Sequence, residues 1–243
     1  MKILICGKGG CGKSVVATLI AKELAKRGKK VLVVDTDESN FGIYRNFGIE
    51  QPKDFMEYLG GKDKVRERLL GFTRGGEGEK LKLFEELSIE DLPKDYAVEK
   101  DGIKIMAIGK IHDFGEGCAC PMGAVAREFL EALKLRENEV VVVDTDAGIE
   151  HFGRGVEAGC DVVVSVIEPS YESIMLSEKI AELSRKIGKR VVRLGNKVDE
   201  SSKGIIKADT YLPFKKEIFE ACLKGEEIPL VEEAKEIVDS ILR

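Results

Sequence analysis

Along the chain, short apolar runs alternate with stretches whose apolar positions recur at helical spacing. The runs Lys2–Cys6, Lys30–Asp35, Ile103–Ile108, Val140–Asp144, Asp161–Ile167, Arg190–Asn196 and a shorter Ala208–Leu212 are predicted strands. Several are nearly unbroken Val/Ile sequences, as expected of strands covered on both faces. Helical spacing marks Ser14–Lys26, Pro121–Leu135, Ser170–Ile187, Phe214–Leu223 and Val231–Leu242. Strand–helix alternation predicts an α/β fold, a mostly parallel central sheet with helices on both faces. Ligands of such sheets bind beyond the carboxyl ends of the strands.

The rhythm breaks once. From about residue 41 to residue 100 no strand is predicted, but Pro52–Tyr58, Lys64–Leu70 and Leu81–Leu87 are amphipathic. Arg74–Lys80 is glycine-rich and charged and reads as a flexible loop. The expectation is a helical insertion within a single domain spanning residues 1–243, with no internal repeat.

Composition narrows the function classes. With 243 residues, 43% hydrophobic and 34% charged, the chain has the make-up of a soluble globular protein with room for a continuous core. Acidic residues outnumber basic ones 44 to 39, for a formal charge of −5, which argues against nucleic acid as a partner. No apolar run approaches the roughly 18 residues that span a bilayer, so no membrane partner is expected. Ile3–Cys6 is too short for the core of a secretory signal, so the expected location is cytoplasmic. Six cysteines do not make a disulfide scaffold at this length. Cys6, Cys11, Cys160 and Cys222 read as ordinary thiols; Cys118 and Cys120, one residue apart, demand a chemical account.

The strongest motif is Gly7-Lys8-Gly9-Gly10-Cys11-Gly12-Lys13-Ser14, followed by Val15. It fits G-x-x-x-x-G-K-[ST] directly after a strand and at the start of a helix, the context that a phosphate-binding loop requires. Its glycines let backbone N–H groups point at phosphate oxygens, and the helix N-terminus adds positive potential. Lys13 is expected on the β- and γ-phosphates and Ser14 on Mg²⁺. Two more strands end in acids. The second runs into Asp35-Thr-Asp37, which reads either as a polar loop capping the next helix or as a group near the γ-phosphate. The fourth ends in Asp144-Thr-Asp-Ala-Gly148, where an acid at the tip of an apolar strand is placed to hold the hydration shell of Mg²⁺. Gly148 would let the main chain approach the γ-phosphate.

Lys8 makes the loop distinctive. Lys-Gly-Gly-x-Gly-Lys-Ser resembles the deviant Walker A of the MinD/ParA and nitrogenase iron protein class of P-loop ATPases. That resemblance implies that Lys8 reaches the partner's nucleotide across a homodimer, like an arginine finger, and that Asp37 positions the attacking water. It also implies that Asn196 of Gly195-Asn-Lys197-Val-Asp199 binds the adenine edge, and that the loop at Leu212-Pro213 closes over the base. The same word resembles the guanine-reading Asn-Lys-x-Asp of GTPases, which leaves GTP open from those residues; Lys8 belongs to the ATPase branch and favours ATP/ADP.

Gly115-Glu-Gly-Cys118-Ala-Cys120-Pro121 precedes a predicted helix. Two thiolates are half of a tetrahedral site, and a two-fold dimer supplies the other half from the same patch. Together with the Lys8 loop and Asp-Thr-Asp-Ala-Gly-Ile-Glu-His-Phe-Gly-Arg154, this motif resembles the CooC family, ATPases that assist nickel insertion into carbon monoxide dehydrogenase. The resemblance implies an interface site for Ni²⁺ or Zn²⁺ at Cys118 and Cys120 and a client that is carbon monoxide dehydrogenase or a related nickel enzyme. An iron–sulfur carrier ATPase and a MinD/ParA-like positioning ATPase are the alternatives. The only histidines are His112 and His151, and neither is assigned to the metal site.

Overall fold

The computed structural model describes residues 1–74, 83–112 and 120–243. Its strands are β1 (Lys2–Gly7), β2 (Lys30–Asp35), β3 (Val98–Lys100), β4 (Ile103–Ala107), β5 (Glu139–Asp144), β6 (Val162–Ile167), β7 (Arg190–Val198) and β8 (Thr210–Pro213). They form one sheet in the order β3-β4-β2-β5-β1-β6-β7-β8, parallel throughout except for β3, which runs antiparallel to β4. The helices are α1 (Lys13–Lys26), α2 (Ile43–Asn46), α3 (Phe55–Tyr58), α4 (Lys62–Arg74), α5 (Cys120–Ala132), α6 (Glu150–Arg154), α7 (Tyr171–Lys186), α8 (Glu200–Lys203), α9 (Lys216–Lys224) and α10 (Glu233–Leu242).

Alternation along each central strand explains the two layers. Ile3, Ile5, Val31, Val33, Val140 and Val142 pack into a core with α1 and α10 on one face. Leu4, Leu32, Val34, Val141 and Val143 pack into a second core with α3 and α5 on the other. Since successive side chains point to opposite faces, an unbroken Val/Ile run is what a sheet covered on both sides needs. No described helix is long and apolar enough to cross a membrane.

Several sequence expectations shift. The region 41–100 does contain a strand, the short β3, joined to β4 by Asp101 (φ 52°) and Gly102 (φ 76°). Lys64–Leu70 lies within α4, but residues 83–87 are not helical; Leu87 instead bridges to Leu133. The loop predicted at Arg74–Lys80 lies outside the described residues beyond Arg74. β7 continues past Asn196 to Val198 through an irregularity, and the last strand is Thr210–Pro213 rather than Ala208–Leu212. α5 stops at Ala132, short of Leu135, and α7 is capped by Ser170, whose Oγ accepts the Ser173 N–H at 3.3 Å.

Candidate functional site

The loop from β1 to α1 needs glycine for two different reasons. Gly7 has φ 151°, and a Cβ there would lie 2.5 Å from the Val166 carbonyl oxygen on β6. Gly12 has φ 96°, and its Cβ would lie 2.3 Å from Asn196 Nδ2. No side chain caps α1, and Val16 is its first residue whose N–H reaches back to the loop, to Gly12 O at 3.0 Å. The preceding helix N–H groups are therefore turned toward the loop opening, a ready cradle for anions. Lys13 is buried beside Asp144, whose ionised form it favours. Cys11 is buried as well, and burial pushes its thiol up to about 11.

Register brings the acids to this loop. Asp35 and Asp144 are direct partners across β2 and β5 at the carboxyl ends of both strands. Burial raises Asp144 to about 7, with the neighbouring Asp35 charge adding to the rise and a hydrogen bond from Ser14 opposing it. Its Oδ1 is buried without a hydrogen-bond partner. Burial raises Asp35 to about 6, moderated by Lys110, whose ammonium sits 2.6 Å from Asp35 Oδ2. Asp37 is buried and accepts both the N–H (2.9 Å) and the hydroxyl (2.7 Å) of Ser39 on Oδ1. Asn40 donates to Ser14 Oγ at 3.1 Å, tying this acidic loop to the phosphate loop. Gly148 (φ 91°) donates its N–H to Gly7 O at 3.1 Å, so the segment after β5 is tied to the same loop.

Residues 2–108 match the profile of the CobQ/CobB/MinD/ParA nucleotide binding domain. Over its full length the chain is 54% identical to an uncharacterized ATP-binding protein of Methanocaldococcus jannaschii, which is covered completely as well. It is 32% identical to the carbon monoxide dehydrogenase accessory protein CooC of Rhodospirillum rubrum over 82% of this chain and 74% of that one. The chain belongs to the MinD/ParA family of nucleotide-binding ATPases. Its fold also matches that of the septum site-determining protein MinD of Pyrococcus horikoshii, solved with Mg-ADP, with a TM-score of 0.67 over 99% of this chain and 92% of that one. At 16% identity that likeness concerns the fold.

Within this MinD/ParA-family frame the remaining predicted residues fall in three places. Lys8 is bound within its own chain, 3.0 Å from Glu168 Oε1, and that carboxylate holds its ammonium above the usual lysine range. Asn196 braces the phosphate loop: Nδ2 donates to Cys11 O at 2.7 Å and Oδ1 accepts the Lys197 N–H at 2.9 Å. Beyond these two bonds Asn196 keeps one amide hydrogen and one lone pair. Lys197, in a left-handed conformation (φ 57°), donates to Gly10 O at 2.6 Å. Leu212 turns its side chain into the core, and Pro213 ends β8 half-buried.

Cys118 lies outside the described residues, and Cys120 opens α5. Among the described residues no group of three or more His, Cys, Asp or Glu side chains is arranged to hold a metal ion. His112 engages Asp54 Oδ2 at 2.7 Å, and His151 is buried against Glu157.

Sequence reasoning missed two residues that join these parts. Lys110 has a fully buried side chain among the carboxylate of Asp35 and the carbonyls of Asp37 and Asn40. Arg154 pairs with Asp146 Oδ2 (3.1 Å) and Glu38 Oε1 (3.6 Å), while its stem lies against Gly123 of α5, where a Cβ would meet it at 2.3 Å. The Asp146 and Arg154 ends of that pair were visible in the quoted run, but neither partner on α5 nor Glu38 has a local sequence signal.

Proposed function

We propose that this chain is an ATP-hydrolysing, metal-binding maturation factor that works as a homodimer, of the kind that assists nickel insertion into carbon monoxide dehydrogenase or a related nickel enzyme. Residues 1–243 act as one P-loop ATPase unit. The main chain of Gly7–Val15 cradles the phosphates, with Lys13 as the principal cation. Ser14 and Asp144 are the pair that would hold Mg²⁺. The buried, unpartnered Asp144 Oδ1 beside the Ser14 hydroxyl is an oxygen donor set that suits such a hard ion. When bound, Mg²⁺ supplies charge neutralisation at the β- and γ-phosphates. Asp37 orients the attacking water, Gly148 gives the main chain access to the γ-phosphate, and Asn196, Lys197, Leu212 and Pro213 border the base. Lys8 leaves Glu168 to act at the partner's nucleotide.

The observation that carries the metal half of this reading is the setting of the Cys118-Ala-Cys120 motif. The segment before it, Lys110–His112, is bonded to the Asp37–Asn40 loop, and the helix after it packs on Arg154, which bridges both acidic loops. The 32% identity to CooC adds to it. Two thiolates per chain suit a soft or borderline metal, so nickel is the cargo, held between two chains by four thiolates. Metal analysis of the purified dimer with ADP and with a slowly hydrolysed ATP analogue tests this. One Ni²⁺ or Zn²⁺ per two chains is expected, and it should vanish in Cys118→Ser/Cys120→Ser. Unchanged metal stoichiometry in the double variant overturns the interface site, and a broad brown absorbance in anaerobic preparations would favour an iron–sulfur carrier instead.

A further inference from the structure

Lys110 is among the largest fully buried side chains of the described residues, and its own side chain has no solvent exposure. Burying an ammonium is costly unless it is paired and fully hydrogen-bonded. A lysine ammonium has three donors, and Lys110 has three acceptors: Asp35 Oδ2 at 2.6 Å and the carbonyl oxygens of Asp37 and Asn40. Neutralising Asp35 needs only the first. The other two hold the main chain at both ends of the turn that carries Asp37, Glu38, Ser39 and Asn40.

The neighbours of Lys110 grip the same turn. Its own N–H donates to Asp54 Oδ2 at 2.8 Å, which fixes the root of the side chain. Ile111 donates its N–H to Glu38 O at 3.1 Å, and the Phe41 ring stands 5.8 Å from the ammonium. From this clamped turn the Asp37 carboxylate and the Asn40 amide project, the latter onto Ser14 Oγ. A carboxylate that aligns a water must be held within a fraction of an ångström, because small displacements at a reacting centre cost about a hundredfold in rate.

We propose that Lys110 is a positioning residue for ATP hydrolysis: its ammonium fixes the main chain of the Asp37–Asn40 turn and thereby sets the Asp37 carboxylate. The inference rests on the assignment of Asp37 to the attacking water, so the test separates the two. Single-turnover hydrolysis and ADP affinity are measured for wild type, Asp37→Ala, Lys110→Met and Lys110→Met/Asp37→Ala. Lys110→Met should bind ADP within about threefold of wild type while its rate falls about tenfold or more. With Asp37 already removed, Lys110→Met should slow the reaction no further, because its effect runs through that carboxylate.

A Lys110→Met rate equal to wild type, or losses that multiply in the double variant, overturn the inference even if Asp37→Ala is slow. Wild-type hydrolysis by Asp37→Ala removes the underlying assignment, and the inference with it. Removing one partner of a buried pair leaves the other charge stranded, so Asp35→Asn/Lys110→Met is the second variant. It lacks both charges but still leaves the Asp37 and Asn40 carbonyls unheld. It should show the same loss of rate with ADP affinity kept; a wild-type rate there also overturns the inference.

Discussion

Asp144 illustrates how a single side chain links the fold to its ligand. Pairing in register with Asp35 puts two carboxylates side by side at buried strand tips; Asp35 is ion-paired with Lys110 at 2.6 Å, whereas Lys13 acts on Asp144 only through its nearby charge. In the free chain Asp144 titrates near 7 because burial penalises its charge, against an ordinary value of 3.8. Between about pH 4 and pH 7 the folded chain keeps a proton on this group that the unfolded chain has released. Stability therefore falls as pH rises through that window and levels off above it. Asp144→Asn removes the titration. In chelator-treated protein without nucleotide, the variant should exceed wild type by about 2–4 kcal/mol at pH 8 and by almost nothing at pH 4. Urea unfolding across that range measures the difference, and parallel curves for the two proteins would contradict the assigned burial cost. Under the proposed assignment of Asp144 to Mg²⁺, the charge that destabilises the empty chain is the charge that would hold the ion.

At the scale of elements, the joint between β1, the phosphate loop and β6 is where backbone geometry is least forgiving. Gly7 pairs with Val166, and any Cβ on it would run into that residue's carbonyl, a backbone atom that cannot rotate away. Gly10 also has positive φ (79°), but nothing lies within 4 Å of the position its Cβ would take. Gly10→Ala should therefore cost about 1 kcal/mol, the ordinary penalty for a left-handed alanine. Gly7→Ala adds a steric clash at the end of two strands and should cost about 3 kcal/mol or more. Equal denaturation midpoints for the two variants would show that the β1–β6 joint yields to a methyl group. The same elements mark what could be read in advance. The central strands were legible because their Val/Ile runs serve two cores at once, and the phosphate loop because its glycines and lysine have fixed spacing. β3 escaped notice although Lys100-Asp101-Gly102-Ile103 is the Asp-Gly pattern of a two-residue hairpin; three residues with one apolar side chain gave no periodicity to see. Lys110 and the inward turn of Leu212 were illegible for a different reason. Lysines are rarely buried, and only the folded chain brings the Asp37 and Asn40 carbonyls around that ammonium.

For the whole molecule, the question is what the Lys8–Glu168 pair does when two chains meet. The Lys8 side chain is 39% exposed, and an ion pair in that setting is weak because water screens it. A phosphate group on a partner chain competes easily with such a weak partner, so the internal pair holds Lys8 near the loop without locking it there. Lys8 and Asp37 would then serve one reaction from two different chains. Lys8→Ala should still bind ADP, since Lys13 and the loop N–H groups are intact, and Asp37→Ala should bind ATP; each homodimer should hydrolyse slowly. A mixed dimer differs from both. The site on the Lys8→Ala chain keeps its own Asp37 and receives Lys8 from the Asp37→Ala chain, whereas the other site lacks both groups. Mixing the two variants should thus restore activity to about half of wild type per heterodimer, in the manner of a cation supplied in trans. Hydrolysis followed as a function of mixing ratio, with heterodimer formation confirmed by differently tagged chains, gives the answer. If heterodimers form and activity stays at the level of the separate variants, Lys8 acts only in its own chain and the pair with Glu168 is its working position.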